Sequence, residues 1–295
     1  MHNKGGILTM SNATNAKPGV LVSTQWVADH LNDPNVRLVE VDVDTSAYDT
    51  GHTPNTIGWN WRTQLQQHPA RDIPTKAEWE ELLSSAGISN DTHVVLFGDN
   101  NNWFAAFAYW IFKLYGHENV SLMDGGRKKW FDENRETTTE SPSPQRASYT
   151  AKDANLDLRA SRDHVQKAID NPNQGMVDVR SPGEFSGQLL APENLPQEGA
   201  QRGGHVPSAR NIPWGTAAAA DGTYKSPEEL REIYGSKGLT PDKEIIAYCR
   251  IGERSAHTWF ALHEILGYPN VRNYDGSWTE WGSLIGAPIA TGDDE

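Results

Sequence analysis

The feature that most constrains this chain is that much of it is written twice. "VVLFGDNNNWFAAFAYW" from Val94 and "IIAYCRIGERSAHTWFA" from Ile245 share one order: a short apolar run, a polar turn, then a helix-like stretch. At a constant offset of 151 the register holds without a gap, so Gly116 falls on Gly267, Asp124-Gly125 on Asp275-Gly276 and Trp130 on Trp281. Upstream, "LVEVDVD" (38–44) matches "GMVDVRS" (175–181) and "GHTPNTIGWN" (51–60) matches "GHVPSARNIP" (204–213), with extra residues near "QLLAPENLPQEGAQRGG" enlarging the second copy as a surface loop. Internal duplication on this scale means two similar cores. The parsing is a disordered tail over 1–17, a first domain over 18–140, a Ser/Thr/Pro-rich linker over 141–155 and a second domain over 156–291.

Within each copy, β-branched runs such as "HVVLF", "MVDVR" and "EIIAY" alternate with helical stretches. That alternation predicts an α/β fold, a parallel sheet covered by helices on both faces, in each half. "FAAFAYWIFKLYG" is apolar nearly all round, which predicts a buried helix ended by Gly116. Many of the 11 Trp recur at equivalent positions, as Trp130 and Trp281 do, and read as core and interdomain packing.

Composition removes several classes of function. The formal charge of −13 offers no clustered basic surface for nucleic acid. It is uneven, with 11 basic against 19 acidic residues over 18–155 and 13 against 17 over 156–291, so a small anion meets less repulsion over the second half. No apolar run approaches the ~20 residues of a membrane span. The N-terminal stretch lacks the apolar core of a signal peptide, so a reducing cytoplasm is expected.

Cysteine occurs once, as Cys249 in "CRIGERS". An intramolecular disulfide and a cysteine-rich zinc site are thereby excluded. The residue lies at the carboxyl end of a predicted strand, where a strand-to-helix turn presents backbone N–H groups to an anion. An unperturbed thiol titrates near pH 8.5, and nearby guanidinium groups lower that value, so Arg250 and Arg254 are expected to favour the thiolate while Glu253 opposes them. The alternatives are a small buried apolar Cys249 and arginines on a solvated turn.

With its two α/β halves, the "GHVP" segment, a Cys loop in the second half only and "DGSW" with a further Trp after it (275–281), the chain resembles the two-domain rhodaneses, the thiosulfate sulfurtransferases. "CRIGERS" is similar to the loop of a bacterial branch of that family. The resemblance implies a persulfide carried on Cys249, moving sulfur from thiosulfate to cyanide or a thiol without metal or organic cofactor. It implies a substrate cradle from Arg250, Ile251, Gly252, Glu253 and Arg254. The first half should be inactive, because Gly98 stands where the second has Cys249.

Animal members carry a Lys two residues after the Cys and an Arg beyond the "VD" strand; here these positions are Ile251 and Glu184. Arg254 and Arg250, with Arg180 or Arg202, would have to replace them, unless Arg180 is tied up by Asp178 or Glu184. A 3-mercaptopyruvate donor and a sulfur-carrier role toward a protein partner stay open. A phosphatase of this fold would need an Arg where Ser255 stands.

Overall fold

The structure, a computed structural model, describes residues 19–191 and 199–292, so the tail reading over 1–17 and part of the enlarged loop lie outside the described residues. The first half forms a parallel sheet of five strands: β1 (Leu21–Val22), β2 (Val36–Asp42), β3 (Thr56–Asn60), β4 (His93–Phe97) and β5 (Val120–Met123), in the order β1-β5-β4-β2-β3. The second half forms a parallel sheet of four: β6 (Gln174–Asp178), β7 (Arg210–Asn211), β8 (Glu244–Tyr248) and β9 (Val271–Tyr274), in the order β7-β6-β8-β9. An isolated parallel bridge between Arg159 and Asn273 stands where β1 pairs β5, so the two sheets share one topology.

Both sheets are packed with helices, and the offset of 151 survives in three dimensions: β4 and β8 coincide at that spacing, as do β5 and β9. So do the capping boxes that start the helices Lys76–Ser85 (Thr75 with Glu78) and Pro227–Gly235 (Ser226 with Glu229). The helix Trp103–Leu114 is buried at every position, and Gly116 follows it at φ +73°. Trp130 and Trp281 are each 1% exposed, in the cores of their own halves.

The halves meet about the helices that follow the two equivalent turns. Tyr109 of Trp103–Leu114 stands edge-on to Phe260 and donates to Glu264 Oε2 at 3.0 Å, both groups being buried. One apolar cluster runs through both sheets and contains Cys249 and Ile251. Loops are exchanged as well. Asp124 of the first half accepts from the Tyr224 backbone N–H at 2.9 Å, while Lys129 pairs with Asp221 at 2.6 Å. Reciprocally, Arg71 and Asp72 of the first half reach Asp275, the counterpart of Asp124: Arg71 donates to its carbonyl at 3.2 Å, and Asp72 joins it through Arg159. Residues 141–155 form an irregular segment laid along the first half, with Ala147 and Thr150 N–H groups donating to Ser84 and Asn90.

Candidate active site

Cys249 follows the last residue of β8, and the carbonyls of the loop it opens all accept hydrogen bonds from elements beyond it. Those of Cys249 and Arg250 accept from the Trp278 and Thr279 N–H groups at 3.0 Å, at the start of the helix Ser277–Trp281. That of Ile251 accepts from Arg71 at 3.1 Å, and that of Gly252 from Asn273 Nδ2 at 3.2 Å. With the carbonyls so held, the Gly252 N–H turns inward and donates to Cys249 Sγ at 3.1 Å. Gly252 permits this at φ +103°, where a Cβ would lie 2.9 Å from Asp275 Cα.

Two serines complete the cradle. Ser277 Oγ receives the Cys249 N–H at 3.0 Å and lies 4.0 Å from Sγ. Ser255 Oγ is 3.7 Å from Sγ but has one proton for three acceptors, the others being Asn273 Oδ1 at 2.7 Å and the Gly252 carbonyl at 3.1 Å.

Charge is balanced here rather than positive. Arg254 is 4% exposed and its guanidinium tip makes two 3.0 Å bonds to Glu184, which is fully buried. Glu253, 1% exposed, stands 3.5 Å from Arg254 Nε through Oε1 and accepts from the Cys249 thiol through Oε2 at 3.3 Å. Arg250 is 2% exposed. Two guanidinium groups thus face two carboxylates. Burial raises the Glu184 pKa, and Arg254 together with the Ser181 hydrogen bonds more than reverses it, leaving it below the usual range.

The expectation of a thiol depressed by arginines is corrected. Burial, then the Glu253 charge, push the Cys249 thiol up, and Arg254 with the Ser255 contacts pulls down by less. The arginines are not on a solvated turn either, since Cys249 is 0% exposed and both flanking guanidinium groups are buried.

Arg180 is not brought to the loop. It is fully buried, bonded to Asp178 at 2.6 Å and the Gly204 carbonyl at 2.7 Å, and lies over the Trp278 ring. Arg202 closes the far end of Ser277–Trp281 by donating to the Trp281, Gly282 and Leu284 carbonyls. Glu184, at the position the resemblance matches to an arginine of animal members, is the partner of Arg254, a pairing not foreseen from the sequence. Arg71 gave no signal there either, being 180 residues from the carbonyl it holds. Among the described residues no group of three His, Cys, Asp or Glu could hold a metal ion.

Among the described residues the first copy has no equivalent cradle. A Cβ at Gly98 would meet the Val41 carbonyl at 2.4 Å, and three consecutive residues, Asn100, Asn101 and Asn102, take positive φ in the turn.

A family model described as Rhodanese-like domain matches residues 23–133 and 161–284. A protein of Saccharopolyspora erythraea named "Putative thiosulfate sulfurtransferase" is 58% identical over 270 residues, covering 92% of this chain and 95% of its own. "Sulfur carrier protein TtuD" of Thermus thermophilus is 52% identical over 282 residues, covering 95% and 99%. Among solved structures, wild-type EanB matches with a TM-score of 0.82 at 22% identity over 92% of this chain and 69% of that one, a likeness of fold.

Proposed function

The chain belongs to the rhodanese family of sulfurtransferases, with the domain present twice, and from that premise we propose that its second half moves the outer sulfur of thiosulfate to cyanide or a small thiol. The observation that carries this reading is the placement of the sole Cys Sγ 3.1 Å from an inward backbone N–H, with two serine hydroxyls beside it. Such a cradle stabilises an anionic sulfur without a metal.

Cys249 attacks the outer sulfur, sulfite leaves, and the cradle holds the added negative charge of the persulfide. Arg250 draws the dianion to the loop, and Ile251 contributes apolar packing at the position the resemblance matches to a lysine of animal members. Gly252 supplies the N–H, Arg254 balances Glu184 and Glu253, and Arg180 supports the floor through Trp278. The first half walls the site and anchors the loop through Arg71. A reducing cytoplasm suits a single nucleophilic thiol.

The test is the intact mass after incubation with thiosulfate. One added sulfur atom, removed by cyanide and absent from Cys249→Ser, is expected; no added sulfur refutes the reading. The Thermus thermophilus relative's name supports a second reading, delivery of the persulfide to a protein partner. A steady-state assay separates them, because a carrier loads from thiosulfate yet turns over slowly with small thiols. 3-Mercaptopyruvate as donor is compared in the same assay.

A further inference from the structure

Cys249 sits in the resting site as a buried thiol whose hydrogen points at a carboxylate: Sγ to Glu253 Oε2 is 3.3 Å, with Cys249 0% and Glu253 1% exposed. A buried thiol raised above its ordinary range cannot pass its proton to bulk water without opening the site. The neighbouring groups leave little choice of acceptor. The Gly252 N–H is itself a donor, the Ser277 hydroxyl is committed to the Tyr274 carbonyl at 2.6 Å, and the Ser255 hydroxyl to Asn273 Oδ1 at 2.7 Å. His257, on the same helix, is held down to about 3 by burial and packs on Tyr224 and Trp214.

The charged groups facing Glu253 are Cys249 and Arg250 from the loop, Arg254 beside it and, behind Arg254, Glu184 of the helix Pro182–Ser186. Because Glu184 takes the two terminal nitrogens of Arg254, the Nε stays beside Glu253 Oε1 and leaves Oε2 turned toward Sγ.

We propose that Glu253 is the general base of sulfur transfer, taking the Cys249 proton as Sγ attacks and returning it when the sulfur is passed on. The proposal rests on the sulfurtransferase reading above. In the first step a bond forms between Sγ and the outer sulfur of thiosulfate, and the sulfur–sulfur bond of thiosulfate breaks. Sulfite departs with that electron pair, the proton of Sγ rests on Oε2, and the terminal sulfur of the persulfide keeps the negative charge it brought. In the second step an acceptor thiolate attacks the terminal sulfur, the electron pair returns to Sγ, and the proton on Oε2 goes back to it. No oxidant or reductant enters. The transfer also spares the site two adjacent anions, because the thiolate forms only as its neighbour is neutralised.

Glu253→Gln separates this role from a merely electrostatic one. Removing a negative charge beside a thiol makes the thiolate easier to form, so a spectator carboxylate predicts a lower alkylation pKa and sulfite release as fast as wild type or faster. A general base predicts the same fall in alkylation pKa with single-turnover sulfite release slowed by about 10²–10³-fold, and a solvent deuterium effect expected in wild type but lost in the variant. Glu253→Asp keeps a carboxylate one methylene short and should release sulfite at an intermediate rate with an unchanged KM. If Glu253→Gln fails to fold, this variant decides the matter. Release within threefold of wild type in whichever variant is read overturns the proposal. Wild type that gains no sulfur from thiosulfate sinks the functional reading instead, and the two failures are distinguishable.

Discussion

Removing one member of the Arg254–Glu184 pair tests whether the site is organised by balanced charge. The pair makes two 3.0 Å bonds, with side chains 5% and 0% exposed. Hydrogen bonds to charged groups contribute about 1.5–3 kcal/mol each, and truncating one partner of a buried ion pair costs about 3–5 kcal/mol because the other charge is left alone. Arg254→Met and Glu184→Gln should therefore each lose about 3–5 kcal/mol, a fall in melting temperature of roughly 6–20 °C for a protein of this size class. Their effects on the thiol should have opposite signs. Arg254 draws the Cys249 pKa down, so its loss raises the pH at which iodoacetamide reacts. Loss of the Glu184 charge leaves a guanidinium uncompensated near Sγ and lowers that pH. Urea denaturation and alkylation across pH measure the two quantities on the same samples. The double variant should lose less than the sum of the singles by about 0.5–3 kcal/mol. If the single variants shift the thiol in the same direction, or Arg254→Met costs under about 1 kcal/mol as an exposed pair would, the balanced-charge account is wrong.

Three further outcomes are expected. Gly98→Cys should destabilise the first half by about 1–3 kcal/mol through overpacking against the Val41 carbonyl; in a Cys249→Ser background it should take up no sulfur, and an unchanged melting temperature with sulfur uptake would contradict this. Arg71→Ala frees the Ile251 and Asp275 carbonyls, so kcat should fall and the amides of 250–254 should exchange faster by hydrogen-exchange mass spectrometry, with global stability reduced by no more than about 1.5–3 kcal/mol. Asp42 is held well above the usual carboxylate range by burial and then by Asp99. Its folded pKa exceeds its unfolded one, so its contribution is full below about pH 4 and declines as pH rises through the folded value, by at most about 1.4 kcal/mol per pH unit. Asp42→Asn should flatten that decline and stabilise the protein at neutral pH, and denaturation midpoints at pH 5 and 8 check it.

The duplication carried most of the fold. Because apolar runs and turn positions repeat at 151 residues, β4 and β8 were legible as a pair and Cys249 was placed at the end of its strand, while β5 and β9 and the capping boxes at Thr75 and Ser226 keep that spacing in the structure. Local chemistry set these features: β-branched runs, Ser/Thr with Glu three residues on, and an apolar stretch too continuous for a surface helix. What local chemistry could not set was which charges meet. Arg254 and Glu184 are 70 residues apart, and Arg71 crosses 180 residues to hold the Ile251 carbonyl. Counting charges along "CRIGERS" suggested an electropositive loop, yet its arginines are buried and answered by carboxylates, one from the loop and one from another helix. The sign of the thiol's shift therefore belonged to the tertiary structure, because desolvation and the distance to each partner, not the order of residues, decide which protonation state of a buried sulfur is favoured.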